Sequence, residues 1–393
     1  MLLSIATGCV SGDGPTTPAQ PTAIAPSFTT QPTSLIATLG TTARLIAIPT
    51  GSTPLTLQWY HNGVAISGAK ADTLKFDAVA ATDSGLYFAT VTNSAGTDTS
   101  RVVTITVVTA VSPTALRQIG GAGTSTQRSY RSDSTNESAM LFLKGAVFLA
   151  FEPAVNKSGS SSDLMASRDS GTNAAIRAAS NSRVYVTAGV IASAATGAAA
   201  TYATGSGSRV ALVGGLTNTH GSASPLFGVS DGGEVSVSGG IHVADSSEAI
   251  LVGAPSAAPR PATIAIAGGA AVTAGNGVLL RVTPGAAAAL TLTDQTIAGS
   301  SIASSPGSVV ALVRTQWTGD ATGIGVSLDS TSVWTVTGNS TVTTLGGVRI
   351  AGGVVVNIVG NGFSVTYDAA APGNAALAGR SWPLAGGGTL SPR

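Results

Sequence analysis

The residues that most often carry catalysis or bind metal ions are scarce in this sequence and widely spaced. The 393 residues include three histidines and one cysteine. The histidines are His61, His220 and His242, and no two of them have the spacing of a metal-binding pair. The cysteine, Cys9, has no second cysteine with which to form a disulfide or complete a zinc site. We therefore expect no metal and no cofactor.

Carboxylates, which would supply acid and base groups for cleaving polysaccharides, are few in the repeated part of the sequence. That stretch holds Asp231, Glu234, Asp245, Glu248 and Asp294. A glycosidase needs two carboxylates at a fixed separation across the scissile bond, and Asp231 and Asp245 do not lie one repeat apart. No Gly-x-Ser-x-Gly elbow precedes a helical pattern either. We expect no catalytic residues and a protein that is not an enzyme.

The densest group of charged side chains after residue 138 lies in a polar stretch, residues 156–173. Lys157, Asp163, Arg168 and Asp169 fall within it. The surrounding Ser, Gly and Asn residues indicate a loop that projects from an early strand. Loops of this length are uncommon unless they are functional or disordered. The four charged residues are therefore candidates for contacting a ligand or partner, and the alternative is a solvated loop.

A repeat of about 26 residues must position these side chains. Short strands of the type apolar-x-apolar recur at steps of 26, 25, 29 and 26 residues, beginning at Val184, Val210, Val235, Ile264 and Leu290. Most of them are followed by a turn made of a small residue and Gly. Self-similarity at this period is typical of a solenoid of stacked coils, in which Val, Ile and Leu face inward while Ser and Thr face outward. Arg183 and Arg209 precede two of these strands and would then stack as a small cationic ladder.

Composition supports an all-β protein and excludes some classes of partner. Charged residues make up only 9% of the chain, against about 25% in ordinary globular domains. The apolar residues, 43% of the chain, alternate with Ser and Thr, which favours strands with one buried face. No apolar run is long enough for a spanning helix. The net charge is +1 without a basic stripe, so we expect no nucleic-acid partner.

The first 26 residues look like a targeting segment followed by a linker. Residues 1–8 are mostly apolar and small and end at Cys9, an arrangement that resembles the end of a bacterial lipoprotein signal. The resemblance implies a lipid on Cys9 and an outer-membrane lipoprotein, either secreted or held at the cell surface. No basic residue opens the segment and its apolar part is short, so the signal reads as truncated. The alternative is an ordinary N-terminus with a thiol.

Residues 27–108 show short alternating strands separated by turn signals, the pattern of a β-sandwich. Residues 58–63 (Gln-Trp-Tyr-His-Asn-Gly) and 83–87 (Asp-Ser-Gly-Leu-Tyr) resemble a bacterial immunoglobulin-like domain. The resemblance implies that Trp59 fills the core and that the Tyr87 hydroxyl bonds back to the main chain at a corner. The usual paired cysteines are replaced by Leu45 and Ala89. A spacer is the expected role of this domain, and a weak glycan-binding module is the alternative.

Residues 109–137 read as a connector, and strand patterns resume at residue 138. Residues 333–345, around Trp334, resemble the late coils of pertactin-like autotransporter passengers and related secreted β-helix proteins. The resemblance implies a right-handed parallel β-helix of the pectin-lyase-like type over residues 138–393, ending in a C-terminal cap and exposed at the cell surface. No translocating barrel is expected after it.

The sequence therefore predicts an immunoglobulin-like sandwich followed by a parallel β-helix. We expect a non-catalytic, adhesin-like bacterial surface protein whose partners are glycans or surface proteins, with membrane contact only through Cys9. A carbohydrate-active β-helix (a polysaccharide lyase or a glycan-binding protein) and a passive stalk remain alternatives. Any contact surface is expected on the outward Ser and Thr faces, in residues 156–173, or in the Pro-rich residues 254–261.

Overall fold

A computed structural model describes residues 23–108 and 115–393. The lipid anchor predicted at Cys9, most of the predicted linker, and residues 109–114 of the predicted connector lie outside the described residues. Within these ranges, no helix is long and apolar enough to cross a membrane. Strands dominate both parts of the chain, which confirms the predicted fold class.

The first part is a small sandwich whose strand pairs are antiparallel except for Leu35–Thr38 and Val103–Val108, which pair in parallel. Its strands are β1 (Ser27–Thr30), β2 (Leu35–Thr38), β3 (Ala43–Ile46), β4 (Ile48–Thr50), β5 (Thr56–His61), β6 (Val64–Ala65), β7 (Thr73–Phe76), β8 (Gly85–Asn93), β9 (Gly96–Thr99) and β10 (Val103–Val108). A 3₁₀ turn, Ala81–Asp83, precedes β8. The largest sheet has the order β2-β10-β8-β5-β6, and β3 pairs with β7 on the opposite side of the core.

The core of the sandwich is closed by apolar packing in place of a disulfide. Trp59 is completely buried, and its indole nitrogen donates to the Ala71 carbonyl. The Tyr87 hydroxyl donates to the Asp83 carbonyl at 2.9 Å, which is the corner contact that the resemblance implies. Leu45 and Ala89, at the positions of the missing cysteines, are buried in the same cluster.

The second part is a stack of parallel coils built from short strands. In chain order they are β11 (Leu116–Ile119), β12 (Ala122–Thr126), β13 (Ser129–Ser132), β14 (Met140–Leu143), β15 (Val147–Phe151), β16 (Ala154–Lys157), β17 (Ile176–Ala179), β18 (Arg183–Thr187), β19 (Val190–Ser193), β20 (Thr201–Thr204), β21 (Arg209–Val213), β22 (Leu216–Thr219), β23 (Phe227–Ser230), β24 (Glu234–Ser238), β25 (Ile241–Ala244), β26 (Ile250–Gly253), β27 (Ala262–Ala267), β28 (Ala271–Ala274), β29 (Val278–Val282) and β30 (Ala288–Thr293).

The later coils contain fewer residues each, and the last two strands form an antiparallel hairpin. The later strands are β31 (Thr296–Ala298), β32 (Ser300–Ala303), β33 (Val309–Val313), β34 (Gln316–Gly319), β35 (Ala321–Leu328), β36 (Val333–Val336), β37 (Ser340–Gly346), β38 (Ile350–Ala351), β39 (Val354–Val359), β40 (Val365–Tyr367), β41 (Trp382–Ala385) and β42 (Thr389–Pro392). A 3₁₀ turn, Pro372–Leu377, lies before β41, which pairs antiparallel with β42.

Each regular coil contributes one strand to each of three columns. The first column stacks β11, β14, β17, β20, β23, β26, β29 and β32. The second column stacks β12, β15, β18, β21, β24, β27, β30 and β33, and both columns belong to one 26-stranded sheet. The third column is a six-stranded sheet of β13, β16, β19, β22, β25 and β28. Such long parallel sheets are typical of a parallel β-helix, because each coil pairs only with its two neighbours.

The apolar column predicted from the repeat is confirmed. The second-column strands pair in register and place one residue of each coil directly above the next, in the order Val184, Val210, Val235, Ile264 and Leu290. All five are buried in one continuous core. The coils then shorten, because Leu290 pairs with Val310 and Val310 with Val326. This shortening explains why the 26-residue period fades along the sequence.

The solenoid begins earlier than the predicted boundary at residue 138. Strands β11, β12 and β13 lie within the predicted connector and pair in parallel with β14, β15 and β16. Strand β12 reads Ala-Gly-Thr-Ser-Thr. It therefore lacks the bulky apolar alternation that marks a strand in sequence, and pairing with the next coil fixes its conformation.

Residues 156–173 also differ from the predicted projecting loop. They begin on β16 and contain a short α-helix, α1 (Leu164–Ser170). The helix lies against β23 and β26 of the first column. No helical stretch is evident in the sequence because the helix is held by its cap and by tertiary contacts.

Candidate functional site

The four charged residues of the predicted loop do not form one surface cluster. Lys157 was predicted as a surface contact, but it is completely buried. Its ammonium donates to the carbonyls of Ser134 and Gly159, and burial lowers the pKa of this group to about 8. Lys157 points into the corner of a coil because the alternation of β16 directs it inward beside Val155. Asp163, Arg168 and Asp169 belong to α1 and its cap.

Local chemistry fixes both ends of α1. Asp163 is the N-cap, and its carboxylate accepts the Ala166 amide at 3.0 Å. Gly171 is the C-cap with φ of 64°, a left-handed conformation that favours glycine. The Gly171 amide donates to the Ser167 carbonyl. Asp163 therefore has a structural role, since it caps the N-terminus of α1.

The first column provides the surface on which α1 rests. Its outward positions align in register in the order Arg177, Tyr202, Gly228, Leu251 and Arg281. The Tyr202 hydroxyl donates to the Arg168 carbonyl at 2.7 Å, and the Arg177 side chain donates to the Ser170 carbonyl at 2.9 Å. Burial raises the pKa of Tyr202 well above its ordinary value, which keeps its hydroxyl a neutral donor. Two carbonyls of the last helical turn, which have no partner within the helix, thus accept hydrogen bonds from the first column.

Close approach of α1 to the sheet depends on glycine. A Cβ on Gly253 would lie 2.7 Å from Cα of Asp169 and 2.8 Å from the Arg168 carbonyl oxygen. A Cβ on Gly228 would overlap the ring of Tyr202. These two strand glycines leave the space into which the helix and the tyrosine pack.

A buried carboxylate lies between two arginines at the C-terminal end of α1. Glu248 precedes β26, and its side chain is only 7% exposed. One oxygen is 3.5 Å from Nη2 of Arg168, and the other is 3.8 Å from Nε of Arg281 and 3.2 Å from Nδ2 of Asn276. The two arginine side chains are each 35% exposed. Each guanidinium has five N–H donors, so both retain donors for an external group.

These arginines line an open groove of about 500 Å³ beside the helix, here named the α1 groove. Its apolar lining comes from Met165, Ala254 and Pro284, and its polar lining comes from Arg168, Asp169, Arg281, Thr283 and Ser304. Met165 is 75% exposed. The groove therefore combines two cations with an apolar surface, and it includes two of the four predicted contact residues, Arg168 and Asp169.

The chemistry of the groove favours binding. Glu248 accepts hydrogen bonds from Arg168 and Asn276 and forms an ion pair with Arg281, and these contacts leave it poorly placed to act as a general acid or base. Over residues 23–108 and 115–393, no three His, Cys, Asp or Glu side chains lie close enough together to hold a metal ion. A negatively charged group of a ligand could accept hydrogen bonds here from the guanidinium groups of Arg168 and Arg281.

Glu248, Arg281 and Tyr202 belong to this site but were not among the predicted contact residues. The repeat carried a usable signal for two of them. Tyr202 and Arg281 both belong to the strand that lies between the apolar anchors, and stacking places both on its outward face. Glu248 gave no signal, since its partners Arg168 and Arg281 are distant in sequence on either side.

The other charged residues of the coils lie elsewhere. Arg183 and Arg209 stack in register as expected, and Glu234 follows them in the same column. Glu234 lies 3.7 Å from Arg209, so the ladder is of mixed charge. Asp245 instead pairs with His220, with Nδ1 and Oδ2 2.8 Å apart.

Comparison with known proteins identifies a domain in the first part of the chain. A model of the immunoglobulin I-set domain matches residues 26–107. The crystal structure of a titin M10–obscurin-like 1 Ig complex is 23% identical over 23% of this chain and 99% of that chain, with a TM-score of 0.21. A chimeric titin Z1Z2 carrying a decorin peptide is 28% identical over 22% of this chain and 98% of that chain, with a TM-score of 0.21.

Extracellular domains 3–5 of Drosophila OTK are 23% identical over 22% of this chain and 32% of that chain, with a TM-score of 0.20. No curated protein matches the chain. Residues 26–107 are an I-set immunoglobulin domain, and the large parallel-sheet region that follows is consistent with a β-helix.

Proposed function

We propose that this protein is a non-catalytic interaction module of a bacterial cell surface, and that its α1 groove binds an acidic glycan. The observation that carries the proposal is the pair Arg168 and Arg281, each partly exposed and held in place by the buried Glu248. Arginine suits carboxylate and sulfate groups because its planar donors match their oxygens. The apolar wall around Met165 suits the less polar face of a sugar ring.

The location at the surface rests on two features of the sequence. The segment before Cys9 resembles a lipoprotein signal, and the pattern around Trp334 resembles pertactin-like passengers. Trp334 packs in the core, where its ring stacks on Trp317 with centroids 5.1 Å apart. Its part in the proposed function is thus to support the scaffold, and the contact surface lies at the α1 groove.

A glycan array followed by calorimetry tests the proposal. The unmodified protein is expected to bind saccharides that carry carboxylates or sulfates and to show no binding above background to their neutral counterparts. Arg281→Ala should weaken binding about tenfold or more, the effect of losing a charge-assisted hydrogen bond. Arg183→Ala is the matched control, since it removes an exposed arginine from the second column.

Two results would count against the proposal. Equal losses in the Arg281 and Arg183 variants would indicate nonspecific attraction to the cationic surface. Absence of any signal above background would favour a passive stalk.

A further inference from the structure

The immunoglobulin domain touches the solenoid through a small polar contact. Strand β10 lies against β22 of the third column. The Ser34 hydroxyl donates to Oδ1 of Asp245 at 2.8 Å and accepts the Thr104 amide at 2.8 Å. The other Asp245 oxygen meets Nδ1 of His220 at 2.8 Å. We name Ser34, His220 and Asp245 the latch.

The architecture of the coils places the latch residues together. Thr219 at the end of β22 pairs with Ala244 at the end of β25. The next residues, His220 and Asp245, are therefore neighbours across two coils. Their side chains are 14% and 12% exposed. A contact to Ser34 thus engages two coils of the solenoid at once.

The outer face of the third column is covered at its middle. Asn156, Ala192, Asn218, Val243 and Thr273 align along this column. They alternate with residues that face the core, so they point outward. Ala192, Asn218 and Val243 are nevertheless buried, whereas Thr273 at the end of the column is exposed. The immunoglobulin domain lies over β22, in the centre of the buried stretch.

The covered surface is poorly matched for a permanent interface. Thr104 and Asn218 are completely buried, yet the Thr104 hydroxyl and both amide atoms of Asn218 have no partner among the described residues. The buried Nε2 of His220 also lacks one. Each such group costs about 1–3 kcal/mol while it stays away from water. Permanent interfaces are more apolar than this contact between the immunoglobulin domain and the third column. Polar contacts between domains commonly allow the domains to move relative to each other.

We propose that the immunoglobulin domain docks reversibly on the third column, with the latch holding the closed form. Opening returns the unpaired groups of Thr104, Asn218 and His220 to water. It uncovers the outer face at Ala192 and Val243, and it lets the two domains reorient. The domain is then a detachable cover of the solenoid, in addition to any role as a spacer.

Disulfide trapping combined with small-angle X-ray scattering tests this proposal. Four proteins are compared in a Cys9→Ser background: the otherwise unmodified chain, Ser34→Ala, the oxidised Ser34→Cys/Asp245→Cys pair, and Ser94→Ala. Ser94 is an exposed serine of the same domain and serves as the matched control. Ser34→Ala is expected to raise the open fraction about fivefold, the effect of about 1 kcal/mol on a two-state equilibrium.

The oxidised pair should form readily and give the most compact scattering profile, with the unmodified chain and Ser94→Ala lying between it and Ser34→Ala. Failure of the two cysteines to bond would overturn the docking itself. Identical profiles for the oxidised pair, the unmodified chain and Ser34→Ala would show that the two domains stay docked. That result would overturn the reversibility of the docking. A folded immunoglobulin domain, verified by its hydrogen exchange, is the condition for reading either result.

Discussion

His242 faces the solenoid core, where its ring meets Phe227 edge-on at 5.4 Å. Its Nε2 lies 3.0 Å from the Gly239 carbonyl, so a neutral ring can donate there. Burial lowers the pKa of His242 to about 4. The imidazole is therefore uncharged at neutral pH and acts as a core residue.

Stability should fall as pH drops from 6.5 to 4. Unfolding restores the ordinary pKa of 6.5 to His242, so in this window the unfolded state binds more protons than the folded state. The contribution reaches about 3 kcal/mol, because each pKa unit corresponds to about 1.4 kcal/mol. His242→Leu should flatten this part of the pH dependence in denaturant unfolding monitored at pH 7 and pH 4.5. The same slope in the variant would contradict the assignment; His61→Gln, in the other domain, is the control.

Lys157 should matter for stability and be neutral for binding. Its ammonium satisfies the carbonyls of Ser134 and Gly159, so Lys157→Met leaves buried acceptors without a donor. We expect a loss of about 1–3 kcal/mol in the free energy of unfolding of the solenoid, measured by denaturant titration. Binding at the α1 groove should be unchanged at temperatures where the variant is folded. Lost binding with full stability would restore Lys157 as a contact residue.

At the scale of elements, helix α1 is the part of the structure that turns a repetitive surface into a groove. It has seven residues, too few for a stable helix in isolation. Its stability must therefore come from the Asp163 cap and from its contacts with Tyr202 and Arg177. Changes that lift the helix from the first column should consequently abolish the groove and spare the coils.

Gly253→Ala tests the seat of the helix. The new Cβ would come within 2.8 Å of the backbone of Asp169 and Arg168, which requires α1 to move. We expect faster hydrogen exchange in α1 and about tenfold weaker ligand binding, with unchanged exchange in the neighbouring coils. Gly346→Ala is the control, since its Cβ would make an ordinary 3.5 Å contact with Ser327. Undisturbed exchange in α1 of the Gly253 variant would show that the helix is not held as described.

Asp163→Ala tests the cap. Losing the bond to the Ala166 amide should destabilise the start of the helix by about 1 kcal/mol, which hydrogen exchange at Ala166 would report as roughly fivefold faster opening. Asp163→Asn should retain most of the protection, because an Asn side chain caps about as well. Equal exchange in both variants would remove the capping role.

The repeat allowed much of the solenoid to be predicted, and the site only in part. The column from Val184 to Leu290 was readable because stacked coils demand the same inward residue at each turn. Helix α1 was not readable, since the sequence Leu-Met-Ala-Ser-Arg-Asp-Ser has no apolar period and depends on tertiary contacts. The contact of Ser34 with Asp245 spans 211 positions and belongs to no local pattern.

At the scale of the whole molecule, the two parts have separate cores. Leu45 and Trp59 belong to the immunoglobulin cluster, while the solenoid core is one continuous cluster from Tyr130 to Leu390. The coils contact only their neighbours, so their stability is shared along the stack. The polar latch joins the two cores without merging them.

Leu45→Ala should therefore destabilise only the first domain. The cost expected for a buried leucine is about 2–5 kcal/mol, and hydrogen exchange should quicken throughout β2 to β10. Hydrogen exchange in the first and second columns of the solenoid should be unchanged. In the third column, exchange should quicken only at the face that the immunoglobulin domain covers. Global loss of protection in the solenoid would mean that the two parts fold as one unit.

We propose that the α1 groove binds an acidic saccharide without changing it. The most direct measurement is calorimetric titration of the best array ligand, with mass spectrometry of the same ligand after prolonged incubation. We predict saturable binding, an intact ligand, and loss of binding in Arg281→Ala with retention in Arg183→Ala. Shortened or unsaturated products that disappear in the Arg281 variant would contradict the claim and identify an enzyme.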